Sequence, residues 1–315
     1  MDKKIYDELR FFNKNASEST IKMYVLNIIT VCKGLGHSIE ECKPSIFKNH
    51  KQVFDSIEKQ SMNTQKNKLV AILVYLQSKG YDKDVIEQYN NRIYMLLGKL
   101  RNQSDKNEWN DKEKDKLITM EELTLLIVRL KKQLPSVLNN YNDFNKYMKY
   151  IIVALSYSYP LRNDWAEMKM VSKDEFKDNK DFNYMVIDKE GGNIKCYVNK
   201  YKTVKSHGAI EFECKDKDIV DIIAKYYKNV KDYYDEKNKM FEHWLLWKRD
   251  FEPMSRNLYT KFLQQIFYEE TGKKVSSSML RKIITSSLID IKKFKEMAKL
   301  QGHSISEAMA SYVKS

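Results

Sequence analysis

Nine glycines and four prolines in 315 residues leave this chain few places to turn sharply, which favours long helices over a turn-rich β fold. Apolar residues recur at helical spacing from the start. Ile21, Tyr24, Val25, Ile28 and Cys32 follow Ser17-Glu18-Ser19-Thr20, a capping-type start. A second helix runs through Ile46-Phe47 toward Ile57. A third spans about 64–78, with Leu69, Ile72, Leu73 and Leu76 on one face and Gly80 at its end. A fourth, about 83–100, carries Ile86, Tyr89, Ile93 and Leu97. Residues 1–100 therefore read as a small helical domain. The stretch 101–117, RNQSDKNEWNDKEKDKL, is polar and almost free of aliphatic residues, and reads as a linker.

A second domain, 118–315, opens on Thr119-Met120-Glu121-Glu122, a capping box in which Glu122 reaches back to the amide of Thr119. Leu123, Leu126, Ile127, Leu130 and Leu134 then form one apolar face. A helix of about 141–157 leads to Pro160. The one clear β region follows: strands at 184–187, 194–198 and 209–212, with a turn at Gly191-Gly192 and a basic connection from Asn199 to Gly208. Helices are expected again at about 219–235, 255–269, 276–289, 292–300 and 304–313. The fold class is mainly α, with a small antiparallel sheet of three strands.

The chain carries 56 basic and 43 acidic residues, a formal net charge of +13, with the basic excess in both halves. Such a field favours polyanions, nucleic acid foremost. Cys32, Cys42, Cys196 and Cys214 form no Cys-x-x-Cys pair and read as buried, reduced thiols. His207 and His243 have no second metal ligand at helical spacing, and there is neither a Walker loop nor a dinucleotide-binding glycine pattern. No metal and no cofactor are expected. The N-terminus reads Met1-Asp2-Lys3-Lys4 rather than as a secretory signal, and no apolar run is long enough to span a membrane. The expectation is a soluble protein of cytoplasm or nucleus. Trp244 and Trp247, beside Lys248 and Arg249, read as core.

Five residues stand out by type and order. Arg162 lies in Tyr159-Pro160-Leu161-Arg162, Lys202 in Tyr201-Lys202-Thr203 and Arg281 in Ser278-Met279-Leu280-Arg281; Gly302-His303-Ser304 is followed by Tyr312. In order and spacing these resemble the active site of the tyrosine recombinases, or phage-type integrases. The resemblance implies a helical core-binding domain, a catalytic domain, and closure of the two as a clamp on double-stranded DNA. It makes Tyr312 the nucleophile that forms a 3′-phosphotyrosyl link. Arg162, Arg281 and His303 would hold the phosphate, and Lys202 would protonate the leaving 5′-oxygen, with Lys200 and Lys205 as competitors for that role. Asp164 would buttress Arg162, with Glu167 the second candidate. The implied assembly is a tetramer on two duplexes, monomeric or dimeric when free. An Asn-, Lys- and Ile-rich composition suits a mobile element or a large DNA virus.

The family motif around the second arginine is His-x-x-Arg, and this chain has Ser278 in place of the histidine. A serine donates a hydrogen bond but takes no proton at neutral pH. Two rivals follow: a type IB topoisomerase that relaxes supercoils by the same chemistry, and a recombinase-like protein that binds DNA without cutting it.

Overall fold

The computed structural model describes residues 2–105, 109–188, 192–236 and 243–288. The chain divides into two units, Met1–Trp109 and Asn110–Ser315. The first is built from α1 (Lys3–Phe12), α2 (Glu18–Gly34), α3 (His50–Ile57), α4 (Met62–Ser78) and α5 (Lys83–Asp105), with a 3-10 turn at Pro44–Lys48. Four of these helices begin on a side chain that accepts from a free amide of the first turn: Asp2, Ser17, Asn49 and Ser61. Ile21, Val25 and Ile28 of α2 and Leu69, Ile72 and Leu76 of α4 belong to one buried core, joined by Phe47 and Tyr89. Tyr89 is fully buried, and its hydroxyl donates to the Phe47 carbonyl at 2.7 Å. Helix α5 continues into the polar stretch as far as Asp105. Polar residues carry no apolar periodicity, so spacing alone does not reveal this last part of the helix.

The second unit contains α6 (Asp111–Lys114), α7 (Met120–Lys132), α8 (Tyr141–Ser158), a 3-10 turn at Asn163–Trp165, β1 (Met168–Ser172), β2 (Asn183–Asp188), β3 (Asn193–Val198), α9 (Val204–His207), β4 (Ile210–Cys214), α10 (Lys217–Glu236), α11 (Arg256–Thr271) and α12 (Ser277–Leu288). The capping box at the start of α7 forms in both directions, Thr119 to Glu122 and back. Helix α8 is the centre of this unit. Tyr150 through Ser156 are all buried, the mark of a helix covered on every side, and α7, α10, α11 and α12 contact it. Trp247 lies in the same core, fully buried, its indole N–H donating to the Tyr226 hydroxyl at 2.9 Å.

The sheet has four strands in the order β1-β2-β3-β4, not the three expected. The additional strand, β1, runs parallel to β2, whereas β2-β3 and β3-β4 are antiparallel. Met168-Lys169-Met170-Val171-Ser172 has no alternating pattern and little β-branched character, so it carries no local strand signal. Its state is set by non-local pairing. On the other side of β1, the Met170 amide donates to the His243 carbonyl at 2.7 Å and the Leu245 amide to the Met168 carbonyl at 2.9 Å. The basic connection after β3 is also not plain loop, since α9 forms one turn within it. All four cysteines are free and buried. They meet in space as two pairs, Cys32 with Cys42 and Cys196 with Cys214. Among the described residues no helix is long and apolar enough to cross a membrane.

Removing the Tyr89 hydroxyl leaves the Phe47 carbonyl buried without its donor. Tyr89→Phe should lower unfolding free energy by about 1–3 kcal/mol in urea titrations. Tyr75→Phe, which loses a longer 3.4 Å bond to the Cys42 carbonyl, should lose less.

Candidate active site

Arg162 is carried by a short segment with aromatic anchors on both sides. Helix α8 ends at Ser158, and the Tyr159 hydroxyl then donates to the Glu213 carbonyl at 3.1 Å and accepts from the Lys215 amide at 2.9 Å. The Tyr159 ring stacks on Phe212 with 4.7 Å between centroids, and Trp165 meets the same Phe212 edge-on at 6.1 Å. Trp165 is fully buried and Arg162 is exposed. The arginine thus projects from a loop held at both ends by one β4 side chain, which limits the conformations it must lose on binding a ligand.

The next two residues organise the site. Asn163 donates to the Thr260 hydroxyl at 2.8 Å and to the Arg256 carbonyl at 3.4 Å, both on α11, and accepts from the Ser277 hydroxyl of α12 at 2.5 Å. Asp164 is 4% exposed. Its Oδ1 lies 3.1 Å from Nη2 of Arg256. Burial pushes the Asp164 carboxyl above the usual range; Arg256, then Arg162, the Arg162 backbone and Arg281 pull it back down. The Arg281 guanidinium is lowered by burial first and then by Arg162, and is raised by Asp164. Arg162 and Arg281 therefore lie within each other's field, with a buried carboxylate serving both. Of the two acidic residues behind Arg162, Asp164 is the buried one; Glu167 is exposed, with its backbone in the left-handed region at φ 57°.

Arg281 stands on the first turns of α12. The Ser276 hydroxyl caps that helix by accepting from the Met279 amide at 3.3 Å, and lies 3.1 Å from the exposed Ser278 hydroxyl. The site thus collects two guanidinium groups, an exposed hydroxyl and the positive end of a helix dipole, all favourable to an anion. A planar guanidinium grips two oxygens of a phosphate at once. Among the described residues no group of three or more His, Cys, Asp or Glu side chains is placed to hold a metal ion.

Lys202 lies in the turn between β3 and α9, exposed. The backbone just before it is fixed: the Lys200 amide donates to Asn183 Oδ1 at 2.7 Å, and the Lys200 carbonyl accepts from Arg256 at 2.9 Å and from Asn183 at 3.3 Å. His303 and Tyr312 lie outside the described residues, as do the helices expected at 292–300 and 304–313 and Gly191 of the expected turn. Motif reading missed Arg256. One signal was available: it is the first residue of α11, where a basic side chain opposes the helix dipole by roughly 0.3–1 kcal/mol, so its charge serves something other than the helix.

No protein-family model matches this chain, and no curated protein matches it. Twelve chains of solved structures do. One, described as the crystal structure of XerA recombinase, overlays with a TM-score of 0.32 at 12% identity, covering 99% of this chain and 94% of that one. So loose a likeness leaves the function to be argued from the residues themselves.

Because the folded protein raises the Asp164 carboxyl above its ordinary 3.8, ionising it costs folding stability. That cost is absent below pH 3.8, grows as pH rises through the raised value, and is full above it. Asp164→Asn, neutral throughout, should therefore gain stability relative to wild type as pH rises from the acid range to neutrality. Thermal melts across that range check the sign.

Proposed function

We propose that this chain breaks and rejoins DNA strands as a tyrosine recombinase, with Tyr312 as nucleophile. The observation that carries the proposal is that Arg162 and Arg281, far apart in sequence, lie within electrostatic reach of each other and of the buried carboxylate of Asp164. A phosphodiester in that position has its non-bridging oxygens on two guanidinium groups. As the Tyr312 oxygen attacks phosphorus, charge grows on those oxygens, and fixed donors already aimed at them stabilise the transition state without reorganising. The bond from phosphorus to the 5′-oxygen breaks, and Lys202 supplies the proton that oxygen needs. His303 adds a hydrogen bond to a non-bridging oxygen. The 3′-phosphotyrosyl link keeps the bond energy for religation.

Double-stranded DNA is the partner in this reading, bound in good part through its phosphates. Affinity should fall steeply as salt rises. The recombining assembly is a tetramer on two duplexes.

Ser278 favours a second reading, a DNA-binding protein that does not cut. Its hydroxyl cannot relieve the tyrosine of its proton, and an unassisted phenol, with a pKa of about 10, is mostly neutral at physiological pH. In the reading preferred here the two arginines compensate by stabilising the phenolate.

Detergent-quenched reactions on supercoiled plasmid and on nicked trap substrates should contain protein covalently attached to DNA, and Tyr312→Phe should contain none. Salt-sensitive binding with no adduct on any substrate would establish the second reading instead. Arg162→Ala and Arg281→Ala should each slow adduct formation by about 10²–10³-fold; full rate in either removes that arginine from the site. Ser278→His should form adduct at least as fast as wild type at pH 7. A loss of rate would mean that the serine hydroxyl itself is needed.

A further inference from the structure

Arg256 has the geometry of a device that couples two parts of the site. One nitrogen, Nη2, reaches both Asp164 Oδ1 at 3.1 Å and the Lys200 carbonyl at 2.9 Å. The first contact belongs to the segment bearing Arg162. The second belongs to the connection bearing Lys202. Asn183, buried at the start of β2, makes the parallel link: its Nδ2 donates to the Asp164 carbonyl at 3.2 Å and to the Lys200 carbonyl at 3.3 Å, and its Oδ1 accepts from the Lys200 amide. The two groups differ in one respect. Asn183 ties backbone to backbone, whereas Arg256 ties the Lys200 backbone to the carboxylate that also sets the field around Arg162 and Arg281.

We infer that Arg256 is a positioning residue: it holds the connection of Lys202 in register with the two-arginine pair, so that the lysine ammonium meets the leaving oxygen of a phosphate held by Arg162 and Arg281. This inference rests on the reading of the preceding section. The guanidinium is suited to the task because it is planar, permanently charged and able to serve a carboxylate and a carbonyl together. Its side chain is 40% exposed, so it contributes little to the core, and its position at the start of α11 works against the helix. Both facts favour a role in alignment over one in folding.

The role predicts a particular defect. In strand cleavage the phenolate oxygen of Tyr312 forms a bond to phosphorus, the bond to the 5′-oxygen breaks, and its electron pair becomes an alkoxide that takes a proton from the Lys202 ammonium, leaving a neutral amine. A substrate with sulfur in place of that 5′-oxygen leaves as a thiolate. A thiol has a pKa of about 8.5, so no proton donor is required. A misplaced Lys202 slows the oxygen substrate and spares the sulfur one. A damaged phosphate grip slows both alike.

The experiment compares wild type, Arg256→Met, Arg256→Lys and Lys202→Met on matched oxygen and 5′-sulfur duplexes. It follows covalent adduct under single turnover, with DNA affinity and hydrogen exchange of the amides of residues 200–207 measured alongside. Arg256→Met, which misplaces the general acid without removing it, should cleave the oxygen duplex about 10–100-fold more slowly, less than the roughly 10²–10⁴-fold of a lost general acid. It should cleave the sulfur duplex within about threefold of wild type and bind DNA with unchanged affinity. It should also exchange amides 200–207 faster. Lys202→Met should show the same rescue by sulfur, and Arg256→Lys, which keeps the charge beside Asp164, should be less impaired than Arg256→Met. Equal losses on both duplexes, or faster exchange spread over the whole second unit, would overturn the inference by making Arg256 a phosphate ligand or a folding residue. Failure of sulfur to rescue Lys202→Met would overturn it by removing the proton donor. Absence of adduct with wild type on either duplex would instead overturn the recombinase reading itself.

Discussion

A single buried carboxylate, Asp164, holds the candidate site together. Three arginines arrive from three elements: Arg162 from the loop after α8, Arg256 from the start of α11 and Arg281 from α12. Without a negative charge among them they would repel one another. Ionising Asp164 does not itself stabilise the fold, because burial raises its carboxyl despite its neighbours. This is the usual outcome for a buried ion pair, in which desolvation offsets much of the Coulombic attraction. What the carboxylate contributes is position. It fixes where cations stand before any ligand arrives, and preorganised charge is the larger part of what such a site offers a transition state.

Asn163 does by hydrogen bonding what its neighbour does by charge. Its amide group reaches Thr260, the Arg256 carbonyl and Ser277, so the segment after Arg162 is fastened to both helices that bring the other arginines. Beneath it, Tyr159, Phe212 and Trp165 fasten the same segment to the edge of the sheet. The loop is short and is tied to each neighbour by a different kind of contact. Rigidity of this sort in an exposed loop is how a scaffold presents functional groups at fixed distances.

Much of this was legible in the sequence. The helices of the first unit follow from apolar spacing and from side chains such as Ser17 and Ser61 that satisfy first-turn amides; the capping box at Thr119 and the buried α8 were equally readable. Three of the four strands have alternating or β-branched residues and were found. The fourth, β1, was not, because its pairing to β2 and to the segment at His243–Leu245 is invisible locally. The site divides along the same line. Arg162, Lys202, Arg281 and Asp164 are expectations from a resemblance in order and spacing; of these, Arg162, Asp164 and Arg281 lie within one another's electrostatic reach. Arg256 was missed because nothing near Pro253-Met254-Ser255 announces a site; its importance comes from contacts with residues 56 and more positions away. His303 and Tyr312 remain where the sequence reading left them.

The serine run at the start of α12 divides its duties unevenly. Ser276 closes the helix and Ser277 grips Asn163, so a change at either disturbs the frame that places Arg281. Ser278 is exposed and bonds with the Ser276 hydroxyl. Ser278 thus neither caps α12 nor grips Asn163, and it stands about one turn of helix from Arg281. The frame that places the arginine and the hydroxyl beside it are supplied by different residues, so the chemistry at Ser278 and the position of the charge are set apart from each other.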